Sequence, residues 1–325
     1  MNKATKIWFI IATALVLVGG VIFALTMSFI NWDFLQLNTS KFETNEYIIN
    51  EKFDDLSIDV DTADVNLILS EDDKIKVVCY EEVNDKHNVK VENKTLCITA
   101  DNQRKWYDNI GFSFDTPKIS VYLPKSVNYP TGEYGSLMIN ASTSDVSVPK
   151  YFVFKNIDIN LSTGDVTCFA SSENDCKIST STGNIELENV FAKSFNLTTS
   201  TGYINAKSLE CAGDFYSKVS TGEVAFKDIK CDNFVSEGTT GEIILEDVVA
   251  NGKFDIDRST GGVSFKNCDA SEVYVVTSTG DVNGNFLTDK MYMATSDTGD
   301  VVVPDSNNGG KCEITSDTGS IIIVK

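Results

Sequence analysis

One short turn recurs through the C-terminal half of the chain. Ser-Thr-Gly, or a close variant, is followed by a small or acidic residue. Its glycines are Gly164, Gly183, Gly202, Gly222, Gly241, Gly261, Gly280, Gly299 and Gly319, spaced 19 or 20 residues apart. A period this constant marks a stacked-repeat architecture. Between Gly183 and Gly202 the apolar residues are Ile185, Leu187, Val190, Ala192, Phe195 and Leu197, and their neighbours are mostly polar. Such alternation predicts strands with one buried face. It slips between Leu187 and Val190 and again between Ala192 and Phe195, so the chain turns a corner at each slip. Each unit thus offers two strands around the glycine and a short third segment. No window carries a sustained helical period.

The units keep one phase. Two residues after the nine glycines stand Val166, Ile185, Ile204, Val224, Ile243, Val263, Val282, Val301 and Ile321, all β-branched, which suits a half-buried pleated surface. Seven residues before the glycine stand Phe195, Phe215, Phe234, Phe254, Val273 and Tyr292. One unit cannot bury that face alone, whereas stacked units share a continuous core. Glycine supplies a positive φ at the turn, and the preceding hydroxyls bond local backbone groups. The expected fold is all-β: a β-solenoid of about 19–20-residue repeats, preceded by one N-terminal transmembrane helix. At about 4.8 Å per stacked strand, nine to eleven coils make a rod on the order of 50 Å long. A β-sandwich is the rival, while a propeller needs blades of about 40 residues.

Residues 1–30 read as the membrane anchor. Lys3 and Lys6 precede an uncharged run from Ile7 to Ile30, long enough to span a bilayer. A signal-peptide core is usually shorter, about 7–15 residues, and ends at a small-residue site; Ala24 to Ser28 is a poor one. A retained anchor is therefore favoured over a cleaved signal. Trp8 and Trp32 flank the run as interfacial residues do. The lysines put the N-terminus in the cytoplasm and the rest of the chain outside it. Residues 31–46 read as a tether and 47–325 as the solenoid ectodomain, with atypical coils and insertions over 47–140 and regular repeats over 141–325. Asp61 to Asp64 and Ser142 to Asp145 look like degenerate turns, the second with serine in the glycine slot. Tyr129 to Ser136 reads as loop. Ile321 to Lys325 ends the chain on an apolar strand, either an open docking edge or one blunted by Lys325 and twist.

Composition narrows the partners. The 325 residues carry 27 basic and 47 acidic side chains, a formal charge of −20, which argues against nucleic acid and against anionic lipid surfaces. The expected contacts are a lipid bilayer through residues 7–30 and, outside it, an envelope protein or cell-wall polymer. Of eight cysteines, Cys168, Cys176, Cys211, Cys231, Cys268 and Cys312 occupy inward positions and read as small buried hydrophobes. Cys211 and Cys231, one coil apart, also stand within bridging range. Without a Cys-x-x-Cys pair, structural zinc is not expected.

Catalytic signals are weak. The one histidine, His87, lies in a polar loop from Glu81 to Asn88, and no hydrolase, metalloprotease or phosphate-loop motif occurs. An enzyme is not expected, nor a cofactor or metal. Calcium has only thin candidates in Asp165, Asp281 and Asp300, which follow turn glycines and would offer hard oxygen ligands; a polar residue that simply suits the turn explains them as well. Arg258 stands where other units have Thr199, Thr277 or Ser296, and snorkelling outward is the favoured reading. The threonines from Thr163 to Thr318 form an edge ladder that binds water or a polymer only if flat and exposed. An insertion from Asp101 to Asp115 carries Trp106, Tyr107 and Phe112, candidate partner contacts.

The Ser-Thr-Gly-Asp turns at Ser162 to Asp165 and Ser278 to Asp281, the Asp72 to Lys74 loop, and the strand Ile119 to Pro124 ending Tyr-Leu-Pro carry a resemblance. Over roughly residues 50 to 325 the chain resembles a bacterial family of β-strand-repeat domains of unknown function, grouped as adhesin-like. That resemblance implies association with the cell envelope and transfers no catalytic residues. Members are often tethered to, or encoded with, envelope-stress and membrane-sensing proteins. The expected role is a membrane-anchored, extracellular interaction or structural module. The alternative is a sensory or regulatory subunit acting through its anchor, where Gly19, Gly20, Ala12, Thr13 and Ala24 form a small-residue face.

Overall fold

Each repeat closes into one coil because its apolar residues all find the same interior. The computed structural model describes residues 2–34, 40–72, 74–101, 115–124 and 134–325. A representative coil has three strands, Asp175–Thr182, Ile185–Glu188 and Phe191–Ala192, separated by corners. Each pairs in parallel with its counterpart one coil on: Cys176 opposite Phe195, Ile185 opposite Ile204, Ala192 opposite Cys211. The result is a three-sided β-solenoid. Further along, the corners tighten and the strands run through them, as in Ile243–Thr260 and Val263–Thr279.

The first corner belongs to glycine. Gly183 has φ 150°, and a Cβ there would lie 1.9 Å from the carbonyl oxygen of Gly164 in the coil below. The second corner has a different solution. Asn189, Ser208, Asp228, Asp247 and Asn267 occupy it with φ between 53° and 56°, the left-handed region that Asn and Asp tolerate best among residues with a Cβ. Inside, Ile185, Leu187, Val190, Phe195 and Leu197 are buried. A phenylalanine stack runs along the axis, with ring centroids 5.7 Å apart for Phe195–Phe215, 5.1 Å for Phe215–Phe234 and 5.5 Å for Phe234–Phe254.

Both ends of the solenoid depart from sequence order. The strand Gly310–Thr318 pairs with Val263–Thr279 on one side and with Lys290–Ser296 on the other. Ile321–Val324 is likewise flanked by Val282–Phe286 and Val301–Val302. The last coil is therefore inserted one place in, and Gly319 stacks between Gly280 and Gly299. This corrects the expectation that Ile321 to Lys325 forms an edge of the sheet, whether open or blunted. The outer edge is the coil from Lys290 to Val302, because the chain overshoots and folds back, which lets Ile321 and Ile323 complete the core.

At the other end, Asp55–Val60 lies between Thr95–Asp101 and Tyr134–Thr143. Antiparallel strands then cover the stack. Lys86–Glu92 pairs with Thr95–Asp101, Ile75–Glu82 with Lys118–Leu123, and Phe42–Ile49 with Ile75–Glu82. Two sequence expectations give way here. The strand beginning at Phe42 shortens the tether, and Tyr134 to Ser136 belong to a strand, with Tyr134 buried and its hydroxyl donating to the Pro124 carbonyl at 2.8 Å.

One helix, Lys3–Phe29, precedes the strands. It is long and apolar enough to cross a membrane; its 27 residues span about 40 Å at 1.5 Å per residue. Its side chains are exposed except Met27. Thr13 and Thr26 donate their hydroxyls to the Phe9 and Ile22 carbonyls, at 2.8 and 2.9 Å. Left-handed Asn31 ends the helix, and the Trp32 N–H returns to the Met27 carbonyl at 2.8 Å, a Schellman-type closure.

Candidate functional site

The glycine corner builds one continuous edge. In the strand ladders Thr143 pairs with Thr163, and Thr182, Thr201, Thr221, Thr240, Thr260, Thr279 and Thr318 continue in register. All of these threonines are exposed, so one hydroxyl recurs about every 4.8 Å. Two residues upstream of four of these threonines, an inward hydroxyl (Thr180, Thr199, Thr277 or Ser316) braces the turn. Thr199 donates to the Gly183 carbonyl at 2.9 Å and Thr277 to the Gly261 carbonyl at 3.1 Å. Ser296 donates to the Gly319 carbonyl at 2.7 Å, in keeping with the folded-back order of the last coils.

Four residues at this turn position have structural partners through their side chains. Asp145 Oδ1 accepts the Asp165 N–H at 2.8 Å, Asp165 Oδ1 accepts the Asn184 N–H at 2.7 Å, and Asn184 Oδ1 accepts the Tyr203 N–H at 3.0 Å. Asp281 Oδ1 accepts the Ser320 N–H at 2.7 Å. At Asp145, Asp165 and Asp281 the acid satisfies a neighbouring coil's backbone donor, which explains its residue type without a metal. The three calcium candidates are not brought together: Asp165 lies several coils from the other two, and the Ser320 coil separates Asp281 from Asp300. Trp106, Tyr107 and Phe112 lie outside the described residues.

Arg258 does not snorkel. It is 1 % exposed, its Nη2 donates to Ser236 Oγ at 2.9 Å, and Nη1 reaches the Glu237 carbonyl at 3.4 Å. Ser236 Oγ also bonds Ser217 Oγ at 2.9 Å. The space comes from Gly238, where a Cβ would overlap the guanidinium. Burial pushes the Arg258 pKa down to about 10, opposed by the Asp257 charge. Arg258 Nε has no hydrogen-bond partner among the described residues. The sequence held a signal for this: glycine and serine replace the usual larger residues in the adjoining coil.

The eight cysteines are unpaired, and all but Cys97 are buried. Burial pushes Cys168 and Cys312 up to about 12 and Cys268 to about 11. Such thiols stay protonated and unreactive near neutral pH. Lys290 is buried too. Its Nζ forms an ion pair with Asp269 Oδ1 and bonds Thr288 Oγ1 at 2.6 Å.

A second polar cluster lies in the antiparallel cap. His87 is not in a loop. It is the second residue of the strand Lys86–Glu92 and is buried against Glu81, whose Oε2 accepts from the His87 backbone N–H and lies 2.7 Å from Nδ1. Cys79, two residues before Glu81 on the same strand, completes the group. Burial, with the Glu81 charge, pushes the Cys79 thiol up to about 12.

The sequence pattern of the Toastrack DUF4097 family matches residues 53–215 and again residues 212–324. The chain belongs to this family. Solved structures similar to this Toastrack chain include a candidate adhesin from Bacteroides fragilis, 14% identical at TM-score 0.42, covering 87% of this chain and 97% of that one. Another candidate adhesin, from Parabacteroides distasonis, is 10% identical at TM-score 0.45 and covers 88% and 98%. A candidate lipid-binding protein from the same organism is 18% identical at TM-score 0.38 and covers 89% and 98%. No curated protein matches the Toastrack chain. The two family matches begin at Phe53 and end at Val324, so the helix Lys3–Phe29 lies outside both.

Proposed function

We propose that the protein is a membrane-anchored, extracytoplasmic, non-catalytic module with an adhesin-like role in the cell envelope. The observation that carries this reading is the exposed threonine edge. Its hydroxyls repeat in register along the solenoid, a geometry that fits a repeating ligand better than a single small molecule. A cell-wall polymer with many hydroxyl or amide groups is the matching partner class. The protonated, buried thiols support a non-catalytic role. The exposed apolar helix supports anchorage, because that surface is costly in water and favourable in lipid.

The test is binding of the full-length protein, in detergent, to isolated cell-wall polymer. Replacing Thr201, Thr221 and Thr240 together by valine keeps the side-chain shape and removes the hydroxyls. Binding should fall at least about tenfold, a loss of 1.4 kcal/mol or more, while the thermal midpoint holds. Equal binding by the variant contradicts the reading.

The regulatory alternative draws on the helix. A Cβ built on Gly19 or Gly20 meets no atom within 4 Å, so close approach of a second helix is open there. A membrane protein recovered with the full chain, and lost on Gly19→Leu, would favour it.

A further inference from the structure

The buried cluster in the N-terminal cap combines three different metal-ligating side chains. Cys79 and Glu81 alternate onto one face of the strand Ile75–Glu82, and the hairpin returns His87 to the same place. One ligand atom from each of Cys79, Glu81 and His87 lies within 4.8 Å of the others. Cys79 and Glu81 are fully buried and His87 is 8 % exposed. The only ion-pair partner of Glu81 among the described residues is His87. The second carboxylate oxygen, Oε1, accepts from Asn45 Nδ2 at 2.6 Å.

We propose that Cys79, Glu81 and His87 form a binding site for one divalent zinc-type ion. Sulfur, imidazole nitrogen and carboxylate oxygen together suit zinc, a borderline-soft ion, and suit calcium or magnesium poorly. Charge balances. A zinc ion with one thiolate, one carboxylate and one neutral imidazole sums to zero. Binding releases the Cys79 thiol proton, and His87 offers the ion a neutral ring nitrogen while its N–H sits on the other. Bond lengths of about 2.0–2.3 Å put tetrahedral ligands roughly 3.3–3.7 Å apart. The His87–Glu81 contact, 2.7 Å, therefore opens by roughly 0.6 Å or more to admit the ion. The fourth position falls to water on the side where His87 reaches the surface. A bound ion ties the strand Ile75–Glu82 to Lys86–Glu92, the two that turn the parallel stack into its antiparallel cap. The site is independent of the threonine edge, so either claim survives the failure of the other.

The experiment uses full-length protein in detergent, stripped with a chelator and reloaded with zinc chloride or cobalt chloride. Zinc retained after gel filtration is counted by plasma mass spectrometry. Cobalt is read by its absorption. The expected result is one zinc per chain, a thiolate-to-cobalt charge-transfer band with tetrahedral d–d bands, and a thermal midpoint raised by several degrees. Cys79→Ser and His87→Gln should each lose the ion and the cobalt signature. Cys268→Ser, a buried thiol in a distant coil, should keep both. No retained zinc in the wild-type chain, or undiminished zinc in the Cys79→Ser and His87→Gln variants, overturns the proposal. An octahedral cobalt spectrum without the thiolate band overturns it too. If Cys79→Ser fails to fold, the His87→Gln variant decides alone, its fold checked by circular dichroism.

Discussion

A Cβ on Gly202 would lie 2.0 Å from the Gly183 carbonyl, and the residue has φ 144°. Both facts exclude other residues. Gly202→Ala should cost about 3 kcal/mol or more, a fall of roughly 10 °C in the melting midpoint. An unchanged midpoint would show that the coils can separate there at little cost. Arg258 makes the opposite case. Its charge is buried without a hydrogen-bonded carboxylate, and such charges are often replaced by apolar residues of similar volume at no loss. Arg258→Met should match or exceed the wild-type stability, whereas Arg258→Ala should lose about 2–3 kcal/mol to the cavity. Denaturant melts of both variants separate packing from charge. At the second corner, Ser208 holds φ 53° where neighbouring coils use Asn or Asp. Ser208→Asn should stabilise by roughly 0.5–1 kcal/mol; a loss would mean that the hydroxyl has a partner worth more than the backbone preference.

Period-two alternation and the glycine spacing made the coils legible in the sequence, because every coil needs the same buried β-branched and aromatic positions. The order of the coils was not legible. Each unit carries the same pattern, so nothing local says that the Gly319 coil slips inside the Gly299 coil. The antiparallel cap was hidden for another reason. His87 sits among polar residues and reads as loop, and only its pairing opposite Ala100 reveals a strand. The burial of Arg258 depends on Gly238 and Ser236 one coil away. The folded-back order predicts a hydrogen-exchange contrast. Ile321–Val324, paired on both sides, should be protected far longer than Val301–Val302 at the rim; equal protection would contradict the insertion. Charge ladders between coils add a pH dependence. Hydrogen bonds from Lys266 and Lys227 lower the Glu246 pKa, and Lys218 does the same for Glu237. A depressed carboxylate contributes stability above its unfolded value near 4.5 and loses it as pH falls through the lower folded value. The midpoint should therefore hold from pH 7 to about 5 and decline below about 4.5. Because these pairs are largely exposed, each contributes little and added salt should reduce the effect.

At the scale of the molecule, one apolar helix, an antiparallel cap and a long parallel stack follow one another, and the proposed function gives them the tasks of anchoring, closing and presenting. The cap follows the helix in the chain, and the opposite rim is an edge coil with exposed Met291, Met293 and Val302. The repeating edge runs between them. The account stands on this arrangement being displayed outside a membrane that the helix crosses. The most direct measurement is labelling of intact spheroplasts with an amine reagent that cannot cross the membrane, followed by peptide mass spectrometry of the full chain. Lys207 and Lys218, both on the exposed faces of the solenoid, should be modified, while Lys3 and Lys6 should react only after the membrane is opened. Labelling of Lys3 and Lys6 in sealed cells, or recovery of a soluble chain that lacks the helix, would contradict it.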